Sequence, residues 1–157
     1  MKATRLEHDF LGELEIPNDC YYGIQTLRAL KNFHITGLTV NAEPFMVKGL
    51  GYVKKAAAMA NRDCGVFSKE IAEAIIAASD DVIAGKYDDQ FPTDLIQGGA
   101  GTSVNMNANE VIANIALEKM GYEKGDYEHC HPNNHVNCSQ STNDAYPSAF
   151  RIALLLR

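Results

Sequence analysis

Residues 129–147, HCHPNNHVNCSQSTNDAYP, hold the densest group of side chains that could do chemistry. The stretch carries three His, two Cys and four Asn, and Val136 is its one aliphatic residue of any size. Such a composition excludes a core element. It leaves four interpretations: a metal site, a glycan acceptor, a plain polar loop, or the wall of a pocket for a small polar molecule.

The first two interpretations are weakened by spacing and context. His131 and His135 fit half of a zinc pattern, but seven residues separate Cys130 from Cys138, and four ligands in so short a loop strain a tetrahedron. We therefore predict no metal site. Cys138 or Ser141 beside His135 could act as a nucleophile, but neither lies in a known nucleophile signature. The Asn-Cys-Ser glycosylation pattern lacks a preceding signal peptide.

A second candidate stretch is QGGAGTSVNMNANEV, residues 97–111, where three glycines precede Thr102 and Ser103 at the start of a predicted helix. Free backbone N–H groups and the helix dipole make such a start attractive to anions. An ordinary glycine turn with a Ser/Thr cap remains an alternative. No Lys follows the glycines and no good buried strand precedes them, which argues against nucleotide-binding loops.

Ser141, Thr142 and Asn143 form another polar helix start, with Pro147 in the first turns of that helix. Two such starts, if they converge, could hold the two ends of a small dicarboxylate. Convergence is a hypothesis, because no spacing in the sequence proves it. The helix after Thr102 also carries four asparagines, which predict a buried amide network with direct ligand contact as the alternative: Asn105, Asn107, Asn109 and Asn114.

The elements that must position these residues are mostly helical. Residues 4–16 alternate around Leu11-Gly12 and predict a short hairpin, and residues 24–33 predict a short helix. Asn41 is expected to cap the next helix, with Lys54 off its apolar stripe, and Ser68 is expected to cap the one after. The apolar stripes are Met46, Leu50, Val53, Ala57 and Ala60; Ile71, Ile75, Ala78 and Val82; and Val104, Ala108, Val111, Ile112 and Ile115. The sequence thus predicts a mainly α fold with a short N-terminal β-hairpin and about five helices.

Composition narrows the class of protein. The 157 residues are 46% hydrophobic and 22% charged, with a net charge of −6, which argues against a nucleic-acid partner. No apolar run is long enough to span a membrane, and no signal peptide is recognisable, so we expect a cytoplasmic protein with four free cysteine thiols. The apolar end IALLLR continues a helix without a cap, and we expect a longer protein cut inside that helix.

Four motifs, in order along nearly the whole chain, resemble the class II fumarase/aspartase superfamily: PNDCYYGIQTLRALKNF, VKKAAAMAN, DQFPTDLIQGGAGTSVNMNANEVIAN and HPNNHVNCSQSTNDAYP. The forms YYGIQTLRA and QSTNDAYP are closer to the members that release ammonia from L-aspartate than to the fumarases. The resemblance implies that residues 1–157 are an N-terminal domain, with the central helical-bundle and C-terminal domains absent. It also implies a lyase that reversibly deaminates L-aspartate to fumarate through an aci-carboxylate intermediate. No metal or organic cofactor is implied for that chemistry, and the full-length protein is expected to be a homotetramer.

Carried over by motif, Thr102, Ser141 and Thr142 would bind substrate carboxylates and Asn143 the amino group. His131, Asn133 and Asn134 match a secondary carboxylate site, although Asn134 stands where an Asp is usual. Arg28 is a candidate helper in carboxylate binding. The catalytic base of the superfamily is a serine in a loop reading like GSSxMPxKxN. That motif is absent here, so we assign no catalytic residue to this chain and expect it to be inactive alone.

Three other functions stay open on the sequence. A class II fumarase, which hydrates fumarate to malate, is the nearest alternative enzyme. A stand-alone module that binds a small dicarboxylate could use the same polar pocket without catalysis. A weaker alternative is an interaction domain whose polar loops serve only its structure.

Overall fold

The computed structural model describes residues 3–96 and 101–157. A two-stranded antiparallel hairpin opens the chain, with β1 (Thr4–Asp9) paired to β2 (Gly12–Pro17) and Arg5 opposite Ile16. Five α-helices follow within the described residues: α1 (Ile24–Asn32), α2 (Pro44–Asp63), α3 (Lys69–Ile83), α4 (Thr102–Lys119) and α5 (Thr142–Leu156). The predicted mainly α fold, with its hairpin and about five helices, is confirmed. No helix in the described residues is long and apolar enough to cross a membrane.

Helix α4 is the centre of the fold. Every residue from Val104 to Leu117 is buried, and the helix contacts each of the four other α-helices. A helix that is buried on all sides cannot show one apolar stripe, so its polar residues must find partners inside the protein. The five residues of the predicted apolar stripe on α4 are buried as predicted, but they are not the one buried side of the helix.

All four asparagines of α4 are buried, as predicted. Asn107 donates from Nδ2 to the Gln90 carbonyl at 2.9 Å, which ties α4 to the connection that follows α3. Asn114 donates to the Tyr21 carbonyl at 2.8 Å and accepts from the Gly125 amide at 2.8 Å. These amides satisfy backbone groups of neighbouring loops, a role that apolar residues could not fill.

Helix caps agree with the sequence at one predicted position and differ at another. The Ser68 hydroxyl accepts from the Ile71 amide at 3.3 Å and caps α3, as predicted. The prediction that Asn41 caps α2 is wrong, because Asn41 lies in a 3-10 turn and Glu43 is the N-cap residue. Pro44 occupies the first position of α2, where its missing N–H leaves no intrahelical bond unmade.

The placement of Lys54 off the apolar face of α2 is also wrong. Lys54 is fully buried, in line with Leu50 and Ala58 at steps of four residues. Ala60, assigned to the apolar stripe, is exposed. The buried face of α2 is therefore rotated from the predicted one. The prediction left Lys54 out of that face, but a lysine with enough internal partners can occupy a core position.

A π-turn at Pro132–Val136 shapes the polar stretch that precedes α5. His131 is its N-cap residue, and Pro132 and Val136 are buried. Together with α4 and the start of α5, this turn surrounds the side chains that the sequence singled out.

Candidate active site

The starts of α4 and α5 meet within one chain. Asn105, in the first turn of α4, donates from Nδ2 to Oγ1 of Thr142, the first residue of α5, at 3.1 Å. Gly101 precedes α4 with a φ of +91°, and a Cβ placed there would lie 2.5 Å from the Tyr146 ring of α5. Only glycine therefore allows this approach. The hypothesis that the two polar helix starts converge is supported by both contacts.

The start of α5 is a capping box. The Ser141 hydroxyl accepts from the Asn143 amide at 3.2 Å, and the Asp144 carboxylate accepts from the Ser141 amide at 3.2 and 3.3 Å. In this arrangement the Ser141 oxygen is an acceptor, so its hydroxyl proton points elsewhere. Ser141 and Asn143 are exposed and Thr142 is half-buried, which leaves all three accessible to a small molecule.

Lys54 lies beneath this helix start as a buried cation. Its Nζ donates to three amide oxygens: Asn105 Oδ1 at 2.7 Å, Gln140 Oε1 at 2.8 Å and Asn137 Oδ1 at 3.0 Å. Burial lowers the pKa of Lys54 to about 7, against the opposing effect of the Asp144 carboxylate. Three acceptors for three ammonium protons offset part of the cost of burying the charge.

Thr102, the first residue of α4, is exposed at the same end of the helix as Asn105. Thr102 therefore lies at a helix start, as predicted, and its binding of an anion stays a prediction. The glycine turn predicted before it includes Gly98 and Gly99, which lie outside the described residues. Gly101 is described, and its left-handed conformation directs the chain into α4.

His131 faces a separate cavity. The cavity has a volume of about 240 Å³, and Asn133, Tyr127 and Met106 are among the other residues that line it. His131 Nδ1 accepts from the backbone amides of Asn133 and Asn134 at 3.0 and 3.2 Å. A ring nitrogen that accepts an N–H carries no proton, so the neutral ring holds its proton on Nε2.

Burial, together with the neighbouring His135, lowers the pKa of His131, which favours this neutral form. His135 in turn accepts from the His131 amide through Nδ1 at 2.8 Å. The structure brings His131 and Asn133 to the cavity, whereas Asn134 is exposed and is not one of its lining residues.

Arg28 forms an ion pair with Asp9 that joins α1 to the hairpin. Its Nε and Nη2 donate to the Asp9 carboxylate at 2.8 Å each, and Nη2 also reaches the Gly12 carbonyl at 3.1 Å. Arg28 and Ser103 line the same surface cleft, of about 530 Å³, so Arg28 lies near the start of α4. The sequence analysis did not predict this bidentate ion pair, which holds α1 against the hairpin.

Glu110 is a buried carboxylate that the sequence analysis missed. It accepts from the amides of Gly23, Gln25 and Thr26 at 2.8 to 3.1 Å, and from the Thr26 hydroxyl at 2.6 Å. It therefore supplies the acceptors that the start of α1 lacks. Burial raises the pKa of Glu110 to about 7. A fully buried Glu in a helix of buried amides has no sequence signal beyond its periodicity.

The His and Cys side chains of residues 129–138 are poorly placed to bind a metal ion. Among residues 3–96 and 101–157, no group of three or more His, Cys, Asp and Glu side chains is arranged to hold a metal ion. His131 and His135 both use Nδ1 for a backbone amide, and burial raises the pKa of the Cys130 thiol to about 12. A thiol with so high a pKa is a poor metal ligand.

The chemistry available at the junction of α4 and α5 is the binding of a small anion. Two helix N-termini, hydroxyl donors at Thr102, Ser141 and Thr142, and the buried Lys54 all favour negative charge. Sequence reasoning missed Lys54, and its spacing of four residues from both Leu50 and Ala58 is the signal that could have identified it.

Comparisons with known proteins agree with one another. A protein-family model described as Lyase matches residues 12–157. An aspartate ammonia-lyase of a Bacillus species is 61% identical over 152 residues, which is 97% of this chain and 32% of that protein. The aspartate ammonia-lyase of Escherichia coli K12 is 58% identical over 151 residues, covering 96% of this chain and 32% of its own.

Solved structures show the same similarity. A crystal structure described as fumarate lyase:delta crystallin from Brucella melitensis has a TM-score of 0.95 and 56% identity, covering 98% of this chain and 36% of that one. The class II fumarase of Schistosoma mansoni has a TM-score of 0.90 and 35% identity, covering 98% of this chain and 32% of that one. The chain thus spans about a third of the length of the curated relatives it matches.

Proposed function

The chain belongs to the lyase family that its residues 12–157 match, and we propose that it is the N-terminal domain of an enzyme that reversibly deaminates L-aspartate to fumarate. Two relatives named aspartate ammonia-lyase are 58% and 61% identical to it. The observation that carries the proposal is the hydrogen bond between Asn105 and Thr142, which joins two anion-attracting helix starts. A substrate with two carboxylates fits two such starts.

In this proposal Thr102, Ser141 and Thr142 donate hydrogen bonds to carboxylate oxygens of the substrate. Ser141 and Thr142 each use the hydroxyl oxygen to accept from a neighbour, so each retains its proton for the substrate. Asn143 is exposed beside them and would hold the amino group. The dipoles of α4 and α5 add to the attraction for both carboxylates.

The reaction places its largest charge on one carboxylate. A base removes a proton from the carbon beside the β-carboxylate, the electron pair moves into that carboxylate, and ammonia then leaves from the α-carbon. Donors already directed at the carboxylate stabilise this dianionic intermediate without reorganising. We assign these donors to the α4–α5 junction and assign no catalytic base to residues 1–157. The 157-residue chain alone is therefore expected to be inactive.

His131 and Asn133 suit a secondary carboxylate site. The Nε2–H of His131 is a neutral donor at the cavity, and the π-turn that follows holds its ring in place. Asn134 would contribute less, because it is outside the cavity lining. Arg28 is a helper only if its pairing with Asp9 opens.

We expect the full-length enzyme to be a cytoplasmic homotetramer that works without a metal or organic cofactor. Exposed apolar side chains support the association of subunits: Leu6, Phe10, Leu11, Phe150, Leu154 and Leu155. Light scattering of the full-length protein would measure its oligomeric state. The deamination is an acid–base reaction, so it requires no redox or carrier group.

Hydration of fumarate to malate is the second candidate function. The 35% identity to a class II fumarase and the TM-score of 0.90 support it. The higher identity to two aspartate ammonia-lyases favours release of ammonia over release of water. Fumarate takes part in both reactions, which differ in whether ammonia or water is released from the other dicarboxylate.

A substitution at the α4–α5 junction tests the proposed site. In the full-length protein, Thr142→Val should lower kcat/KM for aspartate roughly 10- to 100-fold, the effect of losing one hydrogen bond to a charged group. Stability should change by only about 1 kcal/mol. Fumarate absorbance and urea denaturation measure the two quantities.

Thr4→Val is the matched control, because Thr4 is an exposed threonine on β1. It should leave both kcat/KM and stability unchanged. A Thr142→Val protein with undiminished activity would remove Thr142 from the site. A stability loss beyond about 2 kcal/mol would show that its hydroxyl serves the fold instead.

A further inference from the structure

The amide groups around Lys54 form a network whose hydrogen-bond directions can be read without ambiguity. Asn137 donates from Nδ2 to the Gln140 carbonyl at 3.2 Å, and Gln140 donates from Nε2 to the Val136 and Cys138 carbonyls at 2.8 and 3.1 Å. A carbonyl oxygen only accepts, so both side-chain amides have one permitted orientation. Their oxygens therefore point at Lys54 Nζ.

The orientation of Asn105 follows from that of Asn137. Asn137 Oδ1 is an acceptor, so the Asn105 atom 3.0 Å away must be the NH₂ group. Lys54 leads to the same orientation from the other side, since Nζ donates to Asn105 Oδ1 at 2.7 Å. Asn105 is fully enclosed, with 1% of its surface exposed, and has no room to turn over.

The direction of the Thr142 hydroxyl follows in turn. Asn105 Nδ2 donates to Thr142 Oγ1, so this oxygen accepts and its proton must point away from Asn105. Among residues 3–96 and 101–157 that proton has no acceptor, although Thr142 is half-buried. The network thus ends in one unused donor at the candidate site.

We propose that Asn105, oriented by Lys54 and Asn137, is a positioning residue that fixes Thr142 Oγ1 as a hydrogen-bond donor to the substrate carboxylate. The proposal rests on the lyase function argued above. A hydroxyl that is free to rotate would spend part of its time turned away or acting as an acceptor. Hydrogen bonds in a chain also polarise one another, so the cation at the start of this chain strengthens the donor at its end.

Asn105→Asp in the full-length protein tests this directly. The carboxylate keeps an acceptor for Lys54, but it presents an oxygen to Thr142 where Asn105 presents NH₂. The Thr142 hydroxyl would then donate to the introduced carboxylate rather than to substrate. We expect kcat/KM for aspartate to fall roughly 10-fold or more, comparable to the effect of Thr142→Val.

A double-mutant cycle separates positioning from a general effect on the fold. With Thr142→Val present, Asn105→Asp should cost no more than about a further 2-fold, because the hydroxyl that it misdirects is already gone. With Thr142→Ser, which keeps the hydroxyl, Asn105→Asp should again cost its full factor. Asn105→Ala, carried through the same cycle, serves as the second variant if Asn105→Asp does not fold.

Each result decides a different question. The first outcome is a wild type that deaminates aspartate and an Asn105→Asp substitution that lowers kcat/KM by its full factor even in the Thr142→Val background. This outcome would overturn the positioning role and leave the lyase function intact. A wild type without any turnover of aspartate would overturn the lyase proposal, and this inference with it. The inference would be supported if Asn105→Asp had little effect on kcat/KM in the Thr142→Val background and its full effect in the Thr142→Ser background.

Discussion

At the residue scale, three polar side chains of the candidate sites are oriented by the hydrogen bonds that they accept. Thr142, Ser141 and His131 each accept a hydrogen bond from a neighbouring amide, which leaves one proton on each for another partner. The sequence could predict Ser141, Thr142 and Asn143 as a polar helix start, because hydroxyl and amide residues before a helix carry that signal. It could not predict that Lys54 supports them, because burial of this lysine depends on three acceptors from two distant segments, α4 and the loop before α5.

Glu110 should give the stability of the protein a distinct dependence on pH. Its pKa is about 7 when folded and near the ordinary 4.5 when unfolded. Between these values the folded state binds more protons, so the contribution is complete below pH 4.5 and is lost as pH rises through 7. From about pH 5 to about pH 8 we expect the free energy of unfolding to fall by about 2 kcal/mol more in wild type than in Glu110→Gln.

Urea denaturation at the two pH values measures this difference. Lys54, whose pKa is lowered to about 7, acts in the opposite direction above pH 7 in both proteins, so it cancels in the comparison. Glu118→Gln is the control, since Glu118 lies on the same helix and is exposed. A Glu110→Gln protein with the same pH slope as wild type would show that Glu110 is ionised throughout this range.

At the element scale, periodic patterns identified the helices but not all of their contacts. The hairpin, the five helices and the Ser68 cap were predictable, since each follows from alternation, a 3.6-residue period or a capping residue. The π-turn at 132–136 has no periodic signal. The buried face of α2 was misplaced because Lys54 and Asn61 belong to it, and a stripe drawn from apolar residues alone omits them.

The packing of α2 against α5 makes Gly49 sensitive to substitution. A Cβ at Gly49 would overlap the Ala149 carbonyl oxygen, which belongs to the backbone of α5 and cannot move aside alone. Gly49→Ala should therefore cost roughly 2 kcal/mol of stability, despite the better helix propensity of Ala. The shift of α5 should also lower kcat/KM in the full-length protein, because α5 begins at Thr142.

Gly51→Ala is the matched comparison on the same helix. A Cβ at Gly51 would lie 2.8 Å from the Ile83 Cγ1 atom and 3.3 Å from two backbone atoms of α3, so it approaches backbone less closely than a Cβ at Gly49. We expect the free energy of unfolding, measured by urea denaturation, to fall less for Gly51→Ala than for Gly49→Ala. Equal costs for the two substitutions would contradict the close backbone approach of α2 and α5.

At the scale of the whole molecule, the chain is a set of helices packed around α4 that brings two anion-attracting helix starts together. Its residues match a lyase family, while its length is about a third of the curated relatives. The convergence of the helix starts could not be derived from spacing, since it depends on how α4 and α5 cross. The proposed site is therefore tested in the full-length protein.

The most direct test of this account is the reaction of the full-length protein with L-aspartate. Fumarate, measured by its absorbance, and ammonia should form in equal amounts. Malate under the same conditions should give no comparable amount of fumarate. Failure to form fumarate from aspartate, or efficient formation of fumarate from malate, would contradict the proposed function.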